Sequence, residues 1–333
     1  MAKKILGVEI GNCCLKIAVC SDDNLERMVT ADLPDNLVQE DEIVSWEAMA
    51  EFIKEVIKKN QITAKNAALV IPEKLVYSKH VFMPAMTVDQ LRVNLPYEFH
   101  DYITEDKDKY FYDYAVINKT ADEEGNFTEM ELMAAAAPKE TVNRYQTMFR
   151  RAGLRLTLIA PDYCALRNII KDYEEVKGIE EPGDYAILDI GHKTVKIYFF
   201  TKGEYEITRV METGCREIDR YIAETLEVEE HIARIYKETN KMDVLHQPGC
   251  EEIYSHMAIE VMRVLNFYNF NYPDNRLGTL YYCGGGAMIE PLIRAVAGAT
   301  EVEAVSLDRL LTDRYEDTAE ILMGAQALGV TWE

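Results

Sequence analysis

Residues Ile187 to Phe200 read ILDIGHKTVKIYFF. An apolar run ends in an aspartate, Asp189. A glycine, Gly191, follows, and a second apolar run returns. Glycine permits a turn where a Cβ would clash, so the stretch predicts two antiparallel strands joined tightly, with a carboxylate at the joint. The pattern recurs near the N-terminus as GVEIGNCCLKIAVC. Glu9 falls on Asp189, Ile10 on Ile190, Gly11 on Gly191, Lys16 on Lys196 and Ile17 on Ile197, all 180 positions apart. Self-similarity at one spacing predicts a duplicated fold, two related halves each opening on the same hairpin.

The 333 residues suffice for about two domains with their own cores, and 48% apolar content is that of an ordinary globular chain. No apolar run reaches the roughly 18 residues needed to cross a bilayer, and the start, MAKKILGVEIG, is not a secretory signal. Lys+Arg 36 against Asp+Glu 58 gives a net charge of −22. A chain this acidic repels phosphate backbones, which argues against nucleic acid as a partner. The seven cysteines lack metal-type C-x-x-C spacing and fit reduced thiols. The six histidines form no ligand cluster.

Along the chain, strands are expected at 4–10 and 14–20, with a third around 25–31. The helix EAMAEFIKEVIKKN and the buried strand NAALVIP follow. Residues 76–160 have their own rhythm: strand YSKHVFMP; a helix from Thr87 bent or split at Pro96; the aromatic strand DKYFYDYAVINK; the turn ADEEGN; strand FTEMELMAAAAP; and a helix closed by Gly153. This βαββα set reads as an inserted small subdomain. Its tyrosines and phenylalanines read as core and cross-strand packing rather than a peptide platform. The charged segment from Glu174 to Asp184 reads as the crossing between halves. Three strands, several helices (one long, from about 251 to 268), the strand–turn–helix GTLYYCGGGAMIEPLIRAVAG and a final small-residue helix complete the chain. The expected division is 1–75 as the first-half core, completed by 161–180 and 318–330; 76–160 as the insertion; 183–212 with 276–317 as the second-half core; and 213–275 as a helical subdomain.

Two glycine turns facing each other could hold a phosphate chain through inward-pointing amides. The carboxylates of Glu9 and Asp189 could then meet a magnesium ion, which keeps several waters and needs only one or two carboxylates. The Gly284–Gly286 run after a strand allows close approach of a flat or charged ligand, and it matches neither the Rossmann nor the P-loop pattern. Lys16 and Lys196 read either as phosphate contacts or as solvated strand residues. Asp162 reads first as a helix N-cap, and His192 as an exposed turn residue.

These segments resemble the superfamily of actin, heat-shock chaperones and sugar kinases. Glu9–Lys16 matches its first phosphate segment, Asp189–Lys196 its second, Gly284–Ala287 its adenosine segment, and Gly324–Gly329 its second connecting helix. The resemblance implies an α/β actin-like (ribonuclease H-like) duplicated fold. It also implies ATP bound between two lobes by Glu9, Gly11, Asn12, Lys16, Asp189, Gly191, Thr194, Gly214, Lys237, Gly284, Gly285 and Gly286. Mg²⁺ would be held at Asp189 and Glu9 through water, and Asp162 would stand where active members position the attacking water. Within the superfamily the chain is similar to the type IV pilus assembly family PilM, a relative of FtsA, over nearly its whole length. The stretch MELMAAAAPKETVNRYQTMFRRAGLRLTLIAPDYCALRNI carries the sharpest match. That similarity implies a cytoplasmic protein of pilus assembly, or of related type II secretion machinery, peripheral at the inner face of the membrane and not inserted in it. It would bind the N-terminal cytoplasmic peptide of a PilN-like bitopic membrane protein in a groove between the insertion and the first half. Other pilus assembly proteins and self-association are further expected partners. Competing readings are an FtsA-like division or filament protein and a small-molecule kinase. The expected amphipathic tail of the former is not seen after GVTWE, and no D-x-G-x-T turn supports the latter. Departures from the superfamily pattern concern Glu9 in place of Asp, Asn12, Cys13 and Cys14 in place of hydroxyl residues, Cys215 in place of a second glycine, and HIARIYKE, which keeps Lys237 alone of the ribose set. They imply at most weak ATP turnover.

Overall fold

The computed structural model describes residues 4–332 apart from 23, 35, 40, 41, 312–314, 316 and 317. The chain forms two compact units, Met1–Val44 with Tyr163–Glu333, and Ser45–Asp162. The first unit opens on β1 (Lys4–Ile10), β2 (Cys14–Ser21) and β3 (Asn24–Asp32), an antiparallel meander. The two-residue strands β4 (Val38–Gln39) and β5 (Glu42–Ile43) pair after it.

The second unit starts with α1 (Trp46–Lys59), capped by the Ser45 hydroxyl, which accepts from Ala48 N at 3.3 Å. Its buried face is Met49, Ala50, Ile53, Val56 and Ile57. Strand β6 (Asn66–Ile71) follows, then β7 (Tyr77–Pro84) and α2 (Val88–Asn94). A capping box between Thr87 and Gln90 starts α2, and it gives way to a 3₁₀ turn at Leu95–Phe99, where Pro96 removes an amide donor. Strands β8 (Tyr110–Ala121) and β9 (Phe127–Pro138) form the expected hairpin, and the sheet order is β7-β9-β8. Leu91, Leu95 and Phe99 pack on Val81, Met83, Leu132 and Ala134, with Tyr110, Tyr112 and Tyr114 against the same core. The tyrosines of the aromatic strand are therefore packing, as expected, whereas Phe111 is on the opposite face and exposed. Helix α3 (Lys139–Arg151) ends before Gly153, at φ +82°, and leads to β10 (Arg155–Pro161), parallel to β6.

The chain re-enters the first unit through α4 (Asp162–Lys177). Strands β11 (Tyr185–Ile190), β12 (Val195–Thr201) and β13 (Glu204–Met211) repeat the opening meander. The correspondence extends to the register. Glu9 faces Lys16 as Asp189 faces Lys196, and Lys16 faces Thr30 as Lys196 faces Val210. Both meanders carry a bulge at the same point, Val19/Cys20 and Phe199/Phe200, and both turn on a left-handed residue, Asp22 (φ 46°) and Lys202 (φ 52°). The helices α5 (Arg216–Leu226), α6 (Glu230–Glu238) and α7 (Pro248–Asn271) come next. Then β14 (Thr279–Cys283), α8 (Glu290–Ala299) and β15 (Glu303–Ser306) extend the sheet to β13-β12-β11-β14-β15. Its core joins Leu188, Ile197 and Phe199 to Ile218, Val261 and Leu292, and Phe199 stacks on Tyr268 at 3.8 Å.

The single small-residue helix expected at the C-terminus is two short ones, α9 (Ala319–Met323) and α10 (Ala325–Gly329), broken at Gly324. Asp317, the first residue of the expected helix DTAEILMGAQALGV, lies outside the described residues. A Cβ at Gly324 would lie 2.2 Å from Met28 Cε, and one at Gly7 would lie 1.7 Å from the Ala327 carbonyl oxygen. Glycine at these places lets α10 lie directly on β1. Asn168 of α4 donates to the carbonyls of Gly329 (3.0 Å) and Trp332 (2.7 Å) and fixes its far end.

Candidate functional site

The two hairpin turns close in the same way. Gly11 N donates to Cys14 O at 3.0 Å and Gly191 N to Thr194 O at 3.0 Å. A Cβ on Gly191 would come within 2.7 Å of that Thr194 oxygen, so the turn requires glycine. Asn12 lies half-buried in the first turn. Gly214 packs under the second, where a Cβ would meet His192 O at 2.5 Å. Behind it the first amides of α5 are taken up by the turn itself, Cys215 N by Gly191 O (3.1 Å) and Arg216 N by His192 O (2.7 Å).

The turn carboxylates stand in different surroundings. Lys16 Nζ contacts Glu9 Oε1 at 2.5 Å, with both side chains almost buried. Burial works against the Lys16 charge, but Glu9, Cys14 and Asp189 outweigh it and hold the ammonium protonated. Lys16 is therefore not a solvated strand residue, and Glu9 already has a cation. Asp189 accepts from the amide of Gln326 at 2.9 Å through Oδ2. Its Oδ1 lies against Gly284, where a Cβ would sit 2.3 Å away. Lys196, the counterpart of Lys16, is half-buried.

Gly284 has φ +88° and donates its amide to Leu322 O at 2.9 Å. Gly286 is wedged under Ile190, whose Cγ2 would be 2.1 Å from a Cβ there. A Cβ at Gly285 would meet open space. Of the three glycines, two are demanded by packing and one leaves the open face.

Helix α6 supplies Lys237, whose Nζ reaches Asp219 Oδ1 of α5 at 2.7 Å. Asp219 also lies 3.5 Å from His192 Nδ1. The expectation of an exposed His192 is thus corrected: the ring is folded back onto a buried carboxylate, one-fifth exposed. Burial, followed by the charges of Lys237, Arg234, Arg216 and Arg220, holds its pKa down to about 4, so the ring is neutral at pH 7.

Gln326 was not anticipated from sequence. It lies 137 positions from its partner, in a helix, AQALG, whose other residues are apolar or glycine. Buried polar side chains are normally hydrogen-bonded, but nothing local indicates which are buried. Among the described residues, no group of three or more His, Cys, Asp or Glu is placed to hold a metal ion. Asp162 is 2% exposed at the first turn of α4.

In the Ser45–Asp162 unit an open groove of about 640 Å³ runs between α1 and α3. Trp46, Asn143, Thr147 and Met148 line it, and the Arg151–Glu47 ion pair (2.8 Å) borders it. Trp46 packs edge-on to Tyr145 at 4.9 Å, which fixes the indole.

No helix of the described residues is long and apolar enough to cross a membrane. Among solved structures, the chain is similar to a PilM–PilN type IV pilus biogenesis complex (TM-score 0.76, 21% identity, 98% of this chain and 97% of that one). It is also similar to the ethanolamine utilization protein EutJ from Carboxydothermus hydrogenoformans (TM-score 0.61, 14% identity, 99% of this chain and 89% of that one). The architecture is the duplicated actin-like α/β fold with an inserted βαββα subdomain. A family model described as type IV pilus assembly protein PilM matches residues 7–319, and the chain belongs to that family.

Proposed function

We propose that this chain is an actin-like nucleotide-binding component of type IV pilus assembly, working in the cytoplasm at the inner face of the membrane. The observation that carries the nucleotide reading is the pair of matched glycine turns with the open Gly285 face beside Asp189. The phosphate chain of ATP would lie against Gly11, Asn12, Gly191 and Thr194, with the adenosine end against Gly284–Gly286, Gly214 and Lys237. Asp189 keeps one oxygen away from Gln326 and fits a cation held through water, whereas Glu9 is engaged by Lys16. Magnesium, when bound, would neutralise the phosphate charge there. Glu9 acts in this reading by keeping Lys16 charged and in place. Turnover is slow at most, with Asp162 as the residue to test for positioning water. Calorimetry tests the site: Asp189→Ala should weaken Mg-ATP binding strongly, and unchanged affinity removes the assignment.

The PilM–PilN complex that this chain resembles contains a partner, PilN. We assign the α1–α3 groove to an extended N-terminal peptide of a PilN-like membrane protein, with an apolar side chain against Trp46 and Met148. Thr147→Arg would fill the groove. It should abolish binding of a synthetic peptide of that N-terminus in fluorescence anisotropy, while Mg-ATP affinity stays as in the wild type. Peptide binding that survives the substitution places the partner elsewhere.

A further inference from the structure

Most of the −22 charge belongs to one unit, because Ser45–Asp162 holds 15 of the 36 Lys+Arg and 18 of the 58 Asp+Glu. Against that background, three cations gather about the paired turns of the acidic unit. Lys16 rises from β2. Arg234 and Lys237 lie one turn apart on α6 and so share a face. Lys237 is directed to the second turn through Asp219, which touches His192. Arg234 is directed to the first: it contacts Asp32 at 3.5 Å, and Asp32 is the strand partner of Cys14. The charges of Lys16, Arg234 and Lys237 all act on the Cys13 thiol, which hydrogen-bonds Cys14 at 3.8 Å in the turn.

Lys16 and Lys237 are each held at hydrogen-bond distance by a carboxylate. Arg234 is held differently. Its ion pairs are long, 3.5 Å to Asp32 and 3.9 Å to Glu238, and its Nε is buried without a hydrogen-bond partner. A buried donor left unmade is costly, and native structures carry few such groups. A guanidinium presents a planar fork suited to an oxyanion. Asp32 is an exposed side chain and offers only a weak hold on it.

We propose that Arg234 is an anion-binding residue of this site, which leaves Asp32 to take a phosphoryl oxygen of a di- or triphosphate lying along the Cys13 turn. The proposal rests on the nucleotide reading for the identity of the ligand, but not for its chemistry. A nucleoside triphosphate and inorganic tripolyphosphate present the same oxygens.

The test is calorimetric titration of ATP, adenosine and tripolyphosphate into the full chain, its Arg234→Gln variant and its Asp32→Asn variant. A second readout is the rate of maleimide labelling at Cys13, followed by peptide mass spectrometry with and without each ligand. The expected result is that Arg234→Gln weakens ATP and tripolyphosphate by about tenfold or more, the loss of one charge-assisted hydrogen bond. Adenosine should be unaffected. Asp32→Asn, which frees Arg234, should tighten both phosphates, and both should slow Cys13 labelling in the wild type. If ATP binds Arg234→Gln and wild type alike, the proposal is overturned while the nucleotide reading stands. If tripolyphosphate binds in an Arg234-dependent manner and ATP does not bind, the nucleotide reading falls and the anion site remains. If neither phosphate binds the wild type, both fall. Thermal melting of Arg234→Gln within about 2 °C of wild type shows that the lost affinity is not lost folding.

Discussion

Replacing Gly7 by alanine tests the contact on which the C-terminal helices rest. The new Cβ would stand 1.7 Å from the Ala327 carbonyl oxygen and 2.7 Å from Thr331 Cγ2. A carbon–oxygen contact settles at about 3.3 Å, so β1 and α10 must part by roughly 1.6 Å. Overpacking that side chains can absorb costs about 1–3 kcal/mol. Here the obstacle is helical backbone, pinned at its far end by Asn168. Displacing α10 also strains the 2.9 Å bond from Gln326 to Asp189, and a buried donor deprived of its acceptor costs about 1–3 kcal/mol more. The expected loss is roughly 3–5 kcal/mol, a large part of an ordinary domain's stability of about 5–15 kcal/mol. Urea unfolding followed by tryptophan fluorescence measures it. The chain has two tryptophans, Trp46 in one unit and Trp332 in the other, so a Trp46→Phe background leaves Trp332 as the reporter beside α10. With a slope of about 3 kcal/mol/M, the midpoint should fall by roughly 1 M or more. A fall of less than about 0.3 M would refute the claim that glycine is there to admit the helix.

Gly298, inside α8, has open space where its Cβ would be; Gly298→Ala should therefore stabilise the same unit by about 0.5–1 kcal/mol in the same urea experiment. Lys16→Met leaves the buried Glu9 without its ion-pair partner and should cost about 3–5 kcal/mol, while the double variant Lys16→Met/Glu9→Gln recovers most of it; equal losses in single and double variants would mean the pair is not coupled. His192 titrates near 4 in the folded chain against about 6.5 unfolded, so its contribution is intact above pH 6.5 and is lost as pH falls toward 4. The loss approaches roughly 3 kcal/mol, and His192→Asn should flatten that part of the stability–pH curve.

The hairpins were legible because their chemistry is local. A glycine after a carboxylate dictates a turn, and alternating apolar residues dictate the strands around it. The Pro96 break and the Gly153 stop were legible for the same reason: each rests on the φ or amide of one residue. What could not be read was set by partners far away in sequence. Gly7 looks like a weak residue in a strand until Ala327 is placed upon it. Gly324 packs against the Met28 methyl, a neighbour nearly 300 positions away that its own segment does not reveal. His192 reads as a polar turn residue, and only the fold of α5 brings Asp219 beneath it. Gln326 and Arg234 share that difficulty, since a buried polar side chain is defined by what surrounds it.

The matched bulges at Val19/Cys20 and Phe199/Phe200 bear on how this molecule tolerates change in length. A bulge holds one surplus residue on one strand of a pair, so each meander has a counted number of positions between its glycine turn and its left-handed corner. Removing one residue between Lys16 and Val19, or between Lys196 and Phe199, would not shorten a loop. It would exchange inside for outside along the remainder of the strand, from Val19 or Phe199 to the corner, while Lys16 and Lys196, on the turn side, keep the carboxylate opposite. Both hairpins should accept substitution far more readily than deletion, and insertions should be borne by the corners at Asp22 and Lys202, where the spacing to the turn is already complete.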